Sequence, residues 1–182
     1  RKFPDSLLER RLGRFGRRLK SLAFGLDPTP VVPFTPAKSV SSEETLAADT
    51  ADQALLRNQL LAQAETVGAQ LRKMGMRART ITLKLKYADF SQITRSVTLP
   101  GATQAADTIF GTALNLLQVQ PLARKVRLIG VGASHFLPQS APSQMTLFDG
   151  AAERNAGWEK IDRTVDAISR KFGRGKVRKA SL

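Results

Sequence analysis

Arg79-Thr80-Ile81-Thr82-Leu83-Lys84-Leu85-Lys86-Tyr87 alternates apolar and polar side chains without a break from Thr80 onward. A period of two sets Ile81, Leu83, Leu85 and Tyr87 on one face of a strand and Thr80, Thr82, Lys84 and Lys86 on the other. A connection around Asp89–Ser91 leads to a second strand over about 92–99, which adds Thr94, Ser96 and Thr98 to the polar side. The two strands read as an antiparallel hairpin with one face for a core and one for water or a ligand.

On both sides of this hairpin the period becomes helical. Upstream, Leu56, Leu60, Val67, Leu71 and Met74 form one stripe of a long helix that Gly75 ends, and Thr50-Ala51-Asp52-Gln53 fits a capping box at its start. Downstream, Pro100-Gly101 turns the chain and Thr103 caps a helix to about Leu117, with Ile109, Phe110, Ala113 and Leu117 inward; Pro121 breaks it. Extended segments at about 37–47 and at Lys125–Phe136 complete the order βαββαβ. The expected fold class is α+β, a four-stranded sheet with both helices on one face, over residues 34–136.

Flanking this unit are two other segments. Residues 1–33 read as two short helices: Leu7, Leu8 and Leu12 precede Gly13, and Phe15, Leu19 and Leu22 share a face before Gly25. Pro28, Pro30, Pro33 and Pro36 then forbid helix and mark an extended linker. Residues 137–182 begin with a flexible Pro138–Ser143, followed by Gln144-Met145-Thr146-Leu147-Phe148-Asp149. A last helix, about 153–172, spaces Trp158, Ile161, Val165, Ile168 and Phe172 by 3, 4, 3 and 4, a stripe expected to pack within the molecule. The basic, glycine-containing last ten residues are expected to be disordered.

Composition narrows the chemistry. The 182 residues carry 29 Lys and Arg against 15 Asp and Glu, a net charge of +14, and the three segments contribute +5, +5 and +4. Every part therefore favours a polyanionic partner. Zero cysteines exclude disulfides, thiol catalysis and Cys-ligated zinc; a single His135 leaves little for His-based metal sites or a Ser-His-Asp triad. No run is long and apolar enough for a membrane span and no signal peptide opens the chain, so a cytoplasmic location is expected. Arg1 in place of Met points to a chain cut from a longer one or lacking its true start.

Short hydroxyls beside long cations on an open sheet face suit phosphate oxygens, although a solvated face has the same composition. An RNA-recognition module shares the βαββαβ order but stacks bases on exposed aromatics, and the outward strand positions here carry none. Catalytic readings are weak. Glu43 and Glu44 are adjacent on a strand and point to opposite faces; Asp49, Asp52, Asp89 and Asp107 sit where caps and turns belong. No phosphate-binding glycine loop occurs, and His135 reads as a packed histidine. Gln144–Asp149 could place Leu147 and Phe148 in a partner's groove, or fold them back on the domain.

Lys84-Leu85-Lys86-Tyr87-Ala88-Asp89-Phe90 with Thr94-Arg95-Ser96-Val97-Thr98-Leu99 resembles the central hairpin of the little-finger domain of Y-family DNA polymerases. Ala37-Lys38-Ser39-Val40 with Glu43-Glu44-Thr45, and Val126-Arg127-Leu128-Ile129-Gly130-Val131, are similar to its first and last strands. Gly13-Arg14-Phe15-Gly16 through Gly25-Leu26-Asp27 looks like the end of the thumb. Gln144-Met145-Thr146-Leu147-Phe148 is similar to the family's sliding-clamp-binding peptide, with Gln144, Met145, Leu147 and Phe148 as its contacts. The resemblance implies a non-catalytic part of a translesion polymerase that grips duplex or primer-template DNA and tethers a bacterial sliding clamp. Lys38, Ser39, Ser41, Lys84, Lys86, Thr94, Arg95, Ser96, Lys125 and Arg127 would line the DNA surface. Ser41-Ser42 and Leu128 depart from residues common in relatives. The palm, whose carboxylates hold two Mg²⁺, and the fingers would lie elsewhere in the intact enzyme, so no cofactor is expected on this chain. An inactive polymerase-like accessory protein of a mutagenesis complex, or an unrelated RNA-binding or ribosomal βαββαβ protein, are the alternatives.

Overall fold

The computed structural model describes residues 3–120, 124–141, 151–173 and 176–177. The chain divides into two units, Arg1–Pro36 and Ala37–Leu182. In the first, α1 (Asp5–Leu12) and α2 (Arg14–Ala23) meet at Gly16, where an added Cβ would lie 2.4 Å from the Leu8 carbonyl oxygen. Glu9–Arg17 and Asp5–Lys20 ion pairs join them. Within this unit Phe15 remains exposed, and Leu19 and Leu22 are largely so.

The second unit runs β1 (Ser39–Thr50), α3 (Gln53–Lys73), β2 (Met76–Tyr87), β3 (Gln92–Thr103), α4 (Ala106–Gln118), β4 (Val126–Pro138) and α5 (Ala151–Phe172). All pairings are antiparallel, in the order β1-β4-β2-β3. The α+β fold expected from the alternating periods is the one observed. Leu56, Leu60, Val67 and Leu71 of α3 and Ile109, Phe110, Ala113 and Leu117 of α4 cover one sheet face, meeting Ile81, Leu83, Leu85, Ile129, Val131 and Ala133. Tyr87 is buried among them. Gln63, also buried, donates its amide N–H to the Ile129 carbonyl at 2.9 Å, so this polar side chain is satisfied inside the core.

Several local expectations are corrected. Asp52, two residues after Thr50, is the cap of α3, its carboxylate accepting from Ala54 and Leu55 N–H; Thr50 accepts from Asp52 N–H instead. Met74 lies past the end of α3 and is 38% exposed, outside the apolar stripe. Pro100-Gly101 does not turn the chain, because β3 continues to Thr103 across a register shift opposite Ala78 and Thr80. Thr103 accepts from Ala105 N–H, one residue before α4, and Ala106 N–H goes instead to Asp162 of α5 at 2.8 Å. A carboxylate 56 residues away thus caps α4.

That contact belongs to an ionic clasp holding α5. Arg72 at the end of α3 donates to both oxygens of Asp166 (2.6 and 3.0 Å), to Asp162 (3.1 Å) and to the Gln104 carbonyl (3.0 Å). Arg77 reaches Glu159 at 2.9 Å, and Asn155 accepts from Thr103 and Thr108. Gly68 makes room: an added Cβ would sit 3.0 Å from the Arg72 guanidinium and 3.1 Å from the Gln104 carbonyl. The docked face of α5 is therefore largely polar. Trp158, Val165 and Ile168 are half-buried, whereas Ile161 and Phe172 of the expected packing stripe are 49% and 59% exposed.

Candidate nucleic-acid interface

The sheet face away from α3 and α4 is a grid of four rows, each crossing β1, β4, β2 and β3 in register. The rows are Ser39-Ser134-Thr80-Thr98, Ser41-Gly132-Thr82-Ser96, Glu43-Gly130-Lys84-Thr94 and Thr45-Leu128-Lys86-Gln92. Successive rows are about 6.7 Å apart, two residues along a strand. Hydroxyls dominate the first two rows and cations enter in the last two. Gly130 and Gly132 carry no side chain, leaving a shallow trough walled by Ser41, Glu43, Thr82, Lys84 and Thr94. Thr82–Ser96 and Thr80–Thr98 hydroxyl pairs at 2.9 Å hold neighbouring side chains in place.

The cationic end is built around the β2–β3 turn. Asp89 accepts from the Ser91 hydroxyl and backbone N–H and from Arg124 at 2.8 Å. The Ser91 hydroxyl chiefly, then its N–H and the Arg124 bond, lower the Asp89 carboxyl from 3.8 to about 2. Arg124 also lies over the Tyr87 ring at 4.2 Å. Phe90 follows with φ +63°, a conformation a bulky residue adopts only at a cost. It is 62% exposed, and Lys86 and Arg127 stand 5.0 and 4.9 Å from its ring centre. Cation–π contact thus gathers two long, flexible side chains at one place.

Two further pairings set the charge of the face. Lys84 Nζ bonds Glu43 at 2.7 Å, reaching over Gly130, where a Cβ would come within 2.7 Å of the Glu43 Cβ. Arg127 meets Asp49 at 3.4 Å. Among the described residues, no three His, Cys, Asp or Glu side chains cluster in a way that could hold a metal ion. No helix among them is long and apolar enough to cross a membrane.

The residues singled out from the sequence are distributed as follows. Ser39, Ser41, Lys84, Lys86, Thr94 and Ser96 share the open face through the register. Arg127 joins Lys86 at Phe90. Lys38 is exposed just before β1, beside the hydroxyl rows, and Lys125 is exposed just before β4, at the opposite end. Arg95 pairs with Leu83, so its strand position belongs to the helix-covered face and not to the grid. Glu43 and Glu44 point to opposite faces, as adjacent strand residues must: Glu43 pairs with Gly130, Glu44 with Ile129. His135, expected to be packed, is exposed with φ +54° and bonds Thr80 at 2.6 Å. Gln144, Met145, Leu147 and Phe148 lie outside the described residues. Sequence reasoning missed Phe90 and Arg124, whose roles depend on a turn conformation that no periodicity encodes.

Comparison with known proteins follows the same lines. The chain is 37% identical over 172 residues to DNA polymerase IV of Dehalococcoides mccartyi strain CBDB1, covering 93% of this chain and 43% of that protein. Against DNA polymerase IV of Desulfatibacillum aliphaticivorans it is 36% identical over 185 residues, with 100% and 46% covered. For DNA polymerase IV of Caulobacter vibrioides the values are 37% over 171 residues, with 94% and 41% covered. The chain thus spans under half the length of these relatives. The profile of the impB/mucB/samB family C-terminal domain matches residues 37–147, from the start of the βαββαβ unit through all four strands of the grid. The chain belongs to the impB/mucB/samB family and carries its C-terminal domain, the Y-family polymerase domain that its hairpin resembles.

Proposed function

We propose that this chain is the DNA-gripping and clamp-tethering part of a translesion DNA polymerase, non-catalytic in itself. Its open sheet face holds duplex phosphates while carboxylates of a palm elsewhere in the enzyme, with Mg²⁺, carry out nucleotidyl transfer. The observation that carries this reading is the grid: hydroxyls in two rows, cations in the next two, and two glycines that let a backbone approach closely. Cations supply attraction and hydroxyls supply register. Nothing in the grid is arranged to read base edges, so binding is expected to tolerate any sequence.

Titrating a labelled primer-template with the chain at rising salt tests this. The logarithm of the binding constant is expected to fall with log salt by several units. Tighter binding to a structured RNA hairpin than to the duplex would transfer the face to the RNA-binding reading.

Glu43 provides a finer check. A phosphate approaching Lys84 meets the Glu43 carboxylate already on that ammonium. A like charge about 6 Å away costs about 0.7 kcal/mol in water, a factor of roughly three in affinity. Glu43→Gln is therefore expected to tighten duplex binding about threefold in the same titration; weaker binding would show that phosphates do not come to Lys84.

The clamp peptide is tested separately. Leu147→Ala with Phe148→Ala is expected to abolish binding to the bacterial sliding clamp in surface plasmon resonance and to leave duplex affinity unchanged. Clamp affinity that survives the double change would refute the peptide assignment.

A further inference from the structure

Helix α5 sorts its charges by face. Counting 100° per residue, Asn155, Glu159, Asp162 and Asp166 fall within an arc of about 60°, and this arc is the one docked on Arg72, Arg77, Thr103 and Thr108. Three of the four acidic residues of α5 are thereby turned inward and paired, Asp162 and Asp166 sharing Arg72 and Glu159 meeting Arg77. Lys160, Arg163, Arg170 and Lys171 occupy a second arc of about 100° and all are exposed. Arg163 keeps two contacts with Glu159: its Nε donates to the backbone carbonyl at 3.2 Å, and its guanidinium lies 3.7 Å from the carboxylate. Between the cations lie only small side chains: Ala156, Thr164 and Ala167 line a shallow depression with Lys160 and Arg163. The exposed apolar residues Ile161 and Phe172 lie on a third stripe, about 140° around the helix from the middle of the cationic arc, and the Lys171 ammonium stands 5.3 Å from the Phe172 ring centre at the border between the two.

We infer that the outer stripe of α5 is a second binding surface for the phosphate backbone of duplex DNA, separate from the sheet grid. Docking turns Glu159, Asp162 and Asp166 toward Arg72 and Arg77, and from Lys160 to Lys171 the outer arc then carries cations alone. The fourth acidic residue, Glu153, shares the angle of Lys171 but lies about 10 Å beyond Lys160 in the first turn. Its floor of Ala and Thr admits a sugar-phosphate strand closely. A helix lying on a bilayer needs a continuous apolar face opposite its cations. Here Trp158, Val165 and Ile168 are half-buried, which leaves only Ile161 and Phe172 of the stripe exposed, about 16 Å apart along the axis. From Lys160 to Lys171 the stripe runs about 16 Å along the axis. Two separate phosphate tracks give a longer footprint and a steeper salt response than the sheet alone.

The inference rests on the reading that the chain holds duplex DNA, and the test separates the two. The full chain, its Lys160→Ala, Arg170→Ala, Lys171→Ala triple variant and the Lys84→Ala, Lys86→Ala, Arg127→Ala triple variant are titrated against a labelled duplex of about 30 base pairs. Arg163 is left in place because it touches Glu159. The α5 variant is expected to bind about tenfold more weakly or worse near 50 mM salt, with the log–log slope reduced by about 2.7 units and the unfolding midpoint unchanged. Affinity and slope equal to the parent's would overturn the inference. So would a variant that loses affinity for phosphatidylserine vesicles but not for the duplex, which would make lipid the occupant. If the α5 variant weakens binding while the sheet variant does not, the sheet reading fails and this one stands. No duplex binding by the parent overturns both.

Discussion

Arg72→Ala is expected to lower the folding free energy by about 3–5 kcal/mol, the cost of breaking a buried ion pair from one side. The side chains of Arg72 and Asp162 are only 9% and 7% exposed, and Asp166 is 33% exposed. Truncation leaves two carboxylates and the Gln104 carbonyl without their shared donor. Asp162 would then cap α4 as an uncompensated charge. Arg124→Ala serves as the contrast, since that pair with Asp89 is 51% exposed on both sides and surface pairs contribute about 0–1 kcal/mol. Urea unfolding at constant slope measures both. If α5 detaches as a local event, the loss appears as faster amide exchange and proteolysis confined to α5, with the sheet's midpoint preserved. A change below about 1 kcal/mol by both measures, small against the cost of an uncompensated buried charge, would mean that the clasp does not hold α5 in solution.

Removing Lys84, Lys86 and Arg127 together is the change expected to affect DNA binding most. Each charge-assisted hydrogen bond contributes about 1.5–3 kcal/mol, so three lost contacts, about 4.5 kcal/mol at the least, weaken binding by about 1,000-fold or more at low salt. The salt slope should flatten by about 2.7 units, 0.9 for each phosphate released. Stability should change little: Lys84 and Arg127 give up partly exposed pairs, and Lys86 and Arg127 give up contacts with the exposed Phe90 ring. An unchanged slope would remove the sheet face from the DNA contact, whatever happened to affinity.

The order βαββαβ, the inward set on β2 and the location of the polar face were legible because each follows from local period. A strand shows alternate residues to alternate faces, so Ile81, Leu83 and Leu85 had one option once residues 79–87 were read as extended. The site was legible only in outline. Lys84 and Lys86 were placed by parity, but their partners Glu43 and Phe90 were not, because a partner across strands depends on register and a partner in a turn depends on backbone conformation. Arg95 is a different case: the resemblance grouped it with Thr94 and Ser96, whereas strand parity sets it on the other face, where its pairing with Leu83 puts it.

By itself the sequence determined that a basic chain folds an amphipathic four-stranded sheet under two helices and leaves a hydroxyl and lysine face uncovered. Only the tertiary structure decided which residues complete each other: Asp162 capping α4, Arg72 gathering two aspartates from α5, and glycines at the centre of the open face. The physical reason is range. Hydrophobic period acts over a few residues, whereas the clasp joins groups 90 and 94 positions apart whose attraction exists only once the chain has brought them within 3.1 Å.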